Sequence, residues 1–163
     1  LFAGATVFSY VFRSLGGDDL VIDLVESAGL GSWGILLLLM LIVCILGFFF
    51  DWVEITLIVL PIFAPVIAQL DFGHHLDIGG LEATEAQVLT WFAVLVAVNL
   101  QTSFLTPPFG FALFYLKGVA PKSISIQQIY KGIIPFVLLQ VVGLILVMYF
   151  PELALWMPNT ILE

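Results

Sequence analysis

Apolar residues in this chain come in long blocks separated by short polar stretches, not in alternation. Trp33–Phe50 carries no charge, and Ile55–Leu70 follows after only DWVE. Val88–Leu116 is longer still, and Ile133–Phe150 closes the series. Leu1–Phe12 is a shorter apolar block at the start. A spanning helix needs roughly 20 mainly apolar residues. The pattern therefore predicts membrane helices, with connections at Arg13–Ser32, Asp71–Gln87 and Lys117–Gly132 and a tail over 151–163.

The first connection contains a helix of its own. Gly16 and Gly17 break the chain, and Asp18 is a suitable cap. Leu20, Ile22, Leu24 and Val25 then mix with Asp19, Asp23 and Glu26. Residues 1–32 thus read as the end of a membrane helix followed by an amphipathic arm helix at the membrane surface; a solvated loop helix is the alternative. The opening residues lack the basic region and cleavage site of a signal peptide. The expectation is a fragment that starts inside a membrane helix.

Composition narrows the class further. Of 163 residues, 62% are apolar and 10% are charged, and the mean hydropathy is +1.20. A soluble domain carries far more charge. Disorder, a coiled coil and a nucleic-acid binder are excluded with it. The single cysteine, Cys44, rules out a disulfide framework. Lys117, Lys122 and Lys131 flank one connection, which the positive-inside tendency makes cytoplasmic. The acidic connections and the tail then fall outside, with Arg13 on the less usual side. Trp33, Trp91, Tyr149 and Trp156 come near the outer interface, as aromatic anchors do.

Residues 33–70 leave one side and return to it. Two full spans with a tight turn would do this; so would a re-entrant hairpin with its tip near 47–56. The turn GFFFDWVEIT has two acids and no base, which favours the hairpin. The block lengths and Trp52 suit full spans. A carboxylate at membrane depth is a functional hypothesis by default. Asp51 would sit between the carbonyl end of one arm and the amide end of the other, or would simply cap the second arm. Glu54 fits the helix dipole, and packing accounts for Pro61 and Pro65.

Val88–Leu116 as one helix would be roughly 45 Å long at 1.5 Å per residue, against a hydrocarbon core of about 30 Å. Its middle holds Asn99, Gln101, Thr102, Ser103 and Thr106, followed by Pro107 and Pro108. Two prolines remove two donors and push Thr106 out of the helical region. Residues 88–116 should be a discontinuous helix broken near 101–108, with carbonyls near Asn99–Ser103 freed from their usual partners. These carbonyls and the hydroxyls are hard oxygen donors that suit sodium. A proline-kinked helix with polar contacts to its neighbours is the alternative.

Little else carries chemistry. His74 and His75 are adjacent in an acidic loop and read as solvated more readily than as a metal site. An intramembrane enzyme would need a partner for Asp51, and only Glu54 is within reach. A channel would need a continuous wet path, which nothing here indicates.

The pairing of GFFFDWVEITLIVLPIFAPVI with NLQTSFLTPPFGFALFYLKGVAP closely resembles the C-terminal half of the large membrane subunit of tripartite ATP-independent periplasmic (TRAP) transporters. The resemblance extends to the final span, IIPFVLLQVVGLILVMYFPELALWMP. It implies an all-α membrane protein, the second half of an inverted-repeat elevator transporter, in a bacterial or archaeal inner membrane. It further implies sodium-coupled import of a small organic anion, with a small membrane subunit and a periplasmic substrate-binding protein as partners. Proton coupling on the same fold is the alternative. No cofactor is expected beyond sodium as coupling ion. Carried over by residue, the sodium site comprises Gly47, Asp51, Thr56, Asn99, Thr102, Ser103, Thr106 and Gly110. The substrate would meet Thr102, Ser103, Thr106, Pro107 and Pro108. The segment after the tip aspartate, Trp52–Thr56, is bulkier and more charged than in many members of the family.

Overall fold

The computed structural model describes residues 2–27, 29–77, 82–106, 111–121 and 123–162. Among the described residues the regular structure is all helix, with no strand. We number the helices α1 (Phe2–Ser14), α2 (Gly17–Ser27), α3 (Ser32–Phe49), α4 (Trp52–Ala68), α5 (Glu85–Leu105), α6 (Phe111–Val119), α7 (Ile126–Tyr149) and α8 (Glu152–Leu162). Three of them, α3, α5 and α7, are long and apolar enough to cross a membrane. The protein is an all-α membrane protein.

Local chemistry sets most of the boundaries. Gly16, in the left-handed region at φ 74°, ends α1 without the strain a side chain would add. The arm helix α2 begins at Gly17, which puts Asp18 in its first turn instead of at its cap. Thr84 and Gln87 form a reciprocal capping box that starts α5, and Ser125 and Gln128 do the same for α7. The final span thus begins at Ile126, seven residues before the apolar block that announced it. The tail forms a helix as well: α8 follows Pro151 and buries Leu155 completely.

Helix α5 is the centre of the bundle. It packs against α3, α4, α7 and α8, and buries Trp91, Phe92, Leu95, Val96, Asn99, Leu100, Thr102 and Ser103. On α3 the buried positions are Ile35, Leu36, Leu39, Met40, Val43 and Gly47, one stripe at helical spacing. Helix α7 lies at the periphery and exposes Phe136, Leu138, Leu139, Val142 and Ile145. In lipid such a face needs no cover, and helix association relies on close packing and hydrogen bonds.

One end of the bundle is closed by aromatic rings. Trp33 at the start of α3 meets Phe72 and His75 from the loop after α4, with ring centroids 5.5 and 4.7 Å apart. Trp91, near the start of α5, stands 5.4 Å from Phe72. All these pairs are edge-to-face, the arrangement the ring quadrupoles favour. The hairpin α3–α4 therefore leaves and returns at the end where α5 begins and α7 finishes. Trp91 is wholly buried there and packs among the rings, while Tyr149 and Trp156 remain exposed.

Proline explains the clamp at this end. The carbonyl of Val147 would accept from residue 151 in a continuing helix, but that residue is proline and has no N–H. Trp91 supplies the missing donor through Nε1, at 2.9 Å. His75 Nε2 lies 2.8 Å from the next carbonyl, that of Met148. Two ring nitrogens thus hold the last turn of α7.

Candidate functional site

The two arms of the hairpin meet α5 differently. Helix α3 runs parallel to α5 and interlocks with it over two turns. Asn99, buried, donates from Nδ2 to the carbonyl of Met40 at 2.7 Å. One turn on, Ser103 Oγ lies 3.5 Å from Cys44 Sγ. One turn further, Gly47 faces Ser103 so closely that a Cβ on Gly47 would stand 2.7 Å from Ser103 Cβ. Glycine at this point lets the two backbones approach, the usual device where helices pack in lipid.

That contact fixes where the helices end. Helix α3 stops at Phe49 and α5 at Leu105, each two residues beyond the Gly47–Ser103 contact. Phe50 and Thr106 are both extended, at φ −111°, ψ 153° and φ −86°, ψ 129°. Two parallel helix C-termini therefore lie side by side. Each presents last-turn carbonyls and the negative end of its dipole. Such a place attracts a cation and repels an anion.

The hydroxyls add to the same polarity. Thr102 Oγ1 donates to Val98 O at 3.0 Å, Ser103 Oγ to Asn99 O at 3.1 Å, and Thr106 Oγ1 to Thr102 O at 2.7 Å. With their protons committed within α5, these oxygens have lone pairs to offer. The expected loosening of carbonyls near Asn99–Ser103 is not seen: α5 is helical through Leu105. The irregularity begins with Thr106, whose amide bonds Ser103 O at 3.2 Å while its hydroxyl takes Thr102 O. Pro107, Pro108 and Gly110 lie outside the described residues.

Asp51 is the N-cap of α4. Its Oδ1 accepts from Trp52 N at 2.7 Å, and the residue is exposed. Glu54 sits in the first turn of α4, half-buried. Helix α4 then widens into a π turn over Ile55–Val59, a feature frequent at functional sites. Leu60 N bonds Ile55 O there, and the next residue is Pro61, which has no amide hydrogen. The Thr56 carbonyl is passed over by both. Thr56 Oγ1 donates to Trp52 O at 2.7 Å.

Thr56 and Trp52 line a crevice of about 430 Å³ against Ala97, Leu100, Gln101 and Phe104 of α5. Gln101 is exposed there. The structure thus gathers Gly47, Asn99 and Ser103, with Thr102 and Thr106 on the same helix end, into one buried interface. Asp51 and Thr56 are both exposed, Thr56 in the crevice. The sequence reading left Gln101 out of the site, although its place in the polar cluster pointed to it. It also missed the Met40 carbonyl and Cys44, which only the register of α3 on α5 reveals.

The two histidines turn different ways. His74 is fully exposed and bonds Asp77 Oδ2 at 2.6 Å through Nδ1. That hydrogen bond, then the Asp77 charge, raise its pKa above the ordinary value, with Glu82 and Asp71 adding to the effect. His75 turns inward to Met148. Among the described residues no group of three or more His, Cys, Asp or Glu side chains is arranged to hold a metal.

The family model described as "Tripartite ATP-independent periplasmic transporter, DctM component" matches residues 1–153. An uncharacterized protein, YgiK, of Salmonella typhimurium is 31% identical over 93% of this chain and 31% of its own length. The sialic acid TRAP transporter permease protein SiaT of Haemophilus influenzae is 28% identical over 78% of this chain and 18% of its own. The C4-dicarboxylate TRAP transporter large permease protein DctM of Pseudomonas aeruginosa is 26% identical over 98% of this chain and 33% of its own. The chain therefore spans about a third or less of these relatives. No solved structure matches it.

Proposed function

The chain belongs to the DctM component of the tripartite ATP-independent periplasmic transporters, and from that premise we propose that it forms part of the large permease subunit of a sodium-coupled importer of an organic acid. The family is one of inner-membrane, multi-pass transporters, not enzymes. The small membrane subunit and the periplasmic binding protein that the family name implies are its partners in this reading.

The observation that carries the sodium reading is the paired ending of α3 and α5 at Gly47 and Ser103. Two parallel C-terminal ends, three hydroxyl oxygens without free protons and the nearby Asp51 carboxylate form a set of hard, negative donors. Such a set favours sodium over a soft metal. Gly47, Asp51, Thr56, Asn99, Thr102, Ser103 and Thr106 remain the proposed sodium residues, with Gly110 beyond the break. Of these, Asn99 donates through Nδ2 to Met40 O, which leaves its carboxamide oxygen to offer to the ion.

The polarity argues against Thr102, Ser103 and Thr106 as the sole contacts of an anion, because their O–H groups already have acceptors. Gln101, with a free-facing carboxamide in the crevice beside Trp52, is better placed to donate to the substrate. Pro107 and Pro108 would shape the adjoining break.

The coupling follows from linkage. If sodium binds the substrate-competent arrangement better, it raises that state's population, and substrate raises sodium affinity by the same factor. In an elevator-type mechanism the hairpin and α5 would move together, as their interlock permits.

The test is uptake into proteoliposomes holding the permease, its small partner and the cognate binding protein. Uptake that requires both a sodium gradient and the binding protein is expected. Equal uptake without sodium, or uptake driven by a proton gradient alone, would overturn the sodium reading.

A further inference from the structure

Arg13 is the one basic residue on the first helix, in its last turn, and charge orientation does not explain it. The structure does. Arg13 Nη2 donates to the carbonyl of Pro61 at 2.8 Å, across 48 residues of sequence. In an α-helix that carbonyl would accept from the amide four residues on. The residue there is Pro65, inside α4, which has no amide hydrogen. Pro65 thus leaves the Pro61 carbonyl without its helical donor, and the guanidinium of α1 takes the vacant place. A charged donor makes this a stronger bond than the amide it replaces.

The surroundings give the contact a consequence. Helix α1 packs on the π turn of α4, and α2 packs on the part of α4 that follows. The π turn contains Thr56, whose carbonyl neither Leu60 nor Pro61 reaches. Helix α3 is held on α5 by its own interlock, at Met40, Cys44 and Gly47. The second arm has no such polar lock to α5 among the described residues; its polar tie runs to α1.

We infer that Arg13 is a positioning residue for the hairpin: by holding the carbonyl that Pro65 leaves open, it fixes the second arm, and with it Thr56, against the central helix. The inference rests on the reading that the hairpin and α5 form the transport site. Pro61 and Pro65 are then more than packing residues, since together they create the acceptor.

The sequence of substitutions that tests this uses the proline as a switch. Pro65→Ala restores an amide that can bond Pro61 O, and should remove the part of the Arg13 effect that runs through that carbonyl. The permease with its partners is compared as wild type, Arg13→Gln, Arg13→Lys, Pro65→Ala and Arg13→Gln/Pro65→Ala. The first readout is hydrogen exchange of the α4 amides, which needs no transport. Arg13→Gln should reduce their protection about tenfold, as expected for one charge-assisted hydrogen bond. Arg13→Lys should recover part of it, and in the Pro65→Ala background Arg13→Gln should cost the α4 amides clearly less protection. The second readout is the sodium concentration for half-maximal uptake, which should rise in Arg13→Gln and return in the double variant. Loss of protection of equal size with and without Pro65 would overturn the inference, because Arg13 would then act elsewhere. Unchanged protection in Arg13→Gln would overturn it too. Protection that follows the expected pattern with no change in sodium dependence would keep Arg13 on the hairpin and remove the hairpin from the sodium site. If Arg13→Gln does not fold, Arg13→Lys and Pro65→Ala carry the same comparison.

Discussion

A Cβ placed on Gly47 would meet Ser103 at 2.7 Å from its Cβ and 2.9 Å from its Oγ. No real pair of side chains tolerates the shorter distance, so Gly47→Ala must push α3 away from α5. Overpacking of this kind costs about 1–3 kcal/mol. We expect a lower unfolding midpoint in detergent and impaired uptake. Gly47→Ala/Ser103→Gly, which clears the obstacle, should recover part of the lost stability but not the uptake, because it also removes the Ser103 hydroxyl. Full stability in Gly47→Ala alone would show that the helices are not so close.

Asn99 tests the next contact along the same interface. Its amide donates to Met40 O, a carbonyl that also belongs to the α3 ladder. Asn99→Ala should therefore cost only the net value of one hydrogen bond, about 0.5–1.5 kcal/mol. Asn99→Asp should cost more, because it sets a buried carboxylate against a carbonyl with no proton between them. Thermal unfolding of the two variants separates the cases; an Asp variant as stable as the Ala variant would contradict the geometry.

Trp91 replaces the donor that Pro151 removes from Val147 O. Trp91→Phe keeps most of the ring packing and leaves that carbonyl unpaired, a loss of about 1–3 kcal/mol. In a Pro151→Ala background residue 151 can donate again, and the same substitution should cost less. Equal costs in both backgrounds would mean that the ring, not the N–H, does the holding.

His74 and Asp77 make the clearest titrating pair outside the spans. Because the Asp77 hydrogen bond raises the His74 pKa, the pair adds stability while His74 is protonated, fully so below the ordinary histidine value near 6.5. That contribution disappears as pH rises through the raised value. Histidine NMR should show His74 titrating later than a free imidazole, and Asp77→Asn should move it back. A titration unaffected by Asp77→Asn would remove the pair. His74 is fully exposed, so the effect on global stability is small.

Much of this was readable from local chemistry. The prolines and Asp51 at the hairpin tip act through near neighbours, and the apolar blocks marked the spans; Gly47 was named only by the family resemblance, since its contact, Ser103, is far away in sequence. Thr84 with Gln87 and Ser125 with Gln128 were equally legible as capping boxes, and reading them would have started α5 and α7 at the right residues. The helix after Pro151 was missed because a rule set by membrane thickness overlooks a segment of eleven residues. Helix α5 ends at Leu105, within the range the prolines marked, but the loosened carbonyls near Asn99–Ser103 are not found. Polar residues in a span suggest loosened backbone, but Thr102 and Ser103 bond back onto their own helix and Asn99 bonds α3. The partner of Arg13 could not be read at all: Pro65 announces an open carbonyl, and nothing local names the residue that fills it.

Thr106 brings the candidate site to its sharpest test. It is the first residue out of α5, and its amide reaches Ser103 O in place of Thr102 O. Its hydroxyl takes over the bond to Thr102 O at 2.7 Å. The side chain thus closes a helix end that faces the end of α3, while its lone pairs stay available. Thr106→Val has nearly the same shape but neither donor nor lone pairs. It should raise the sodium needed for half-maximal uptake by about fivefold, the equivalent of about 1 kcal/mol. Thr106→Ser keeps the hydroxyl and should behave nearly as wild type, which separates chemistry from packing. Asp51→Ala should weaken sodium activation in the same direction by removing the nearby charge. If sodium dependence were unchanged in both Thr106→Val and Asp51→Ala, the paired helix ends would be a packing feature, and the coupling ion would bind elsewhere in the permease.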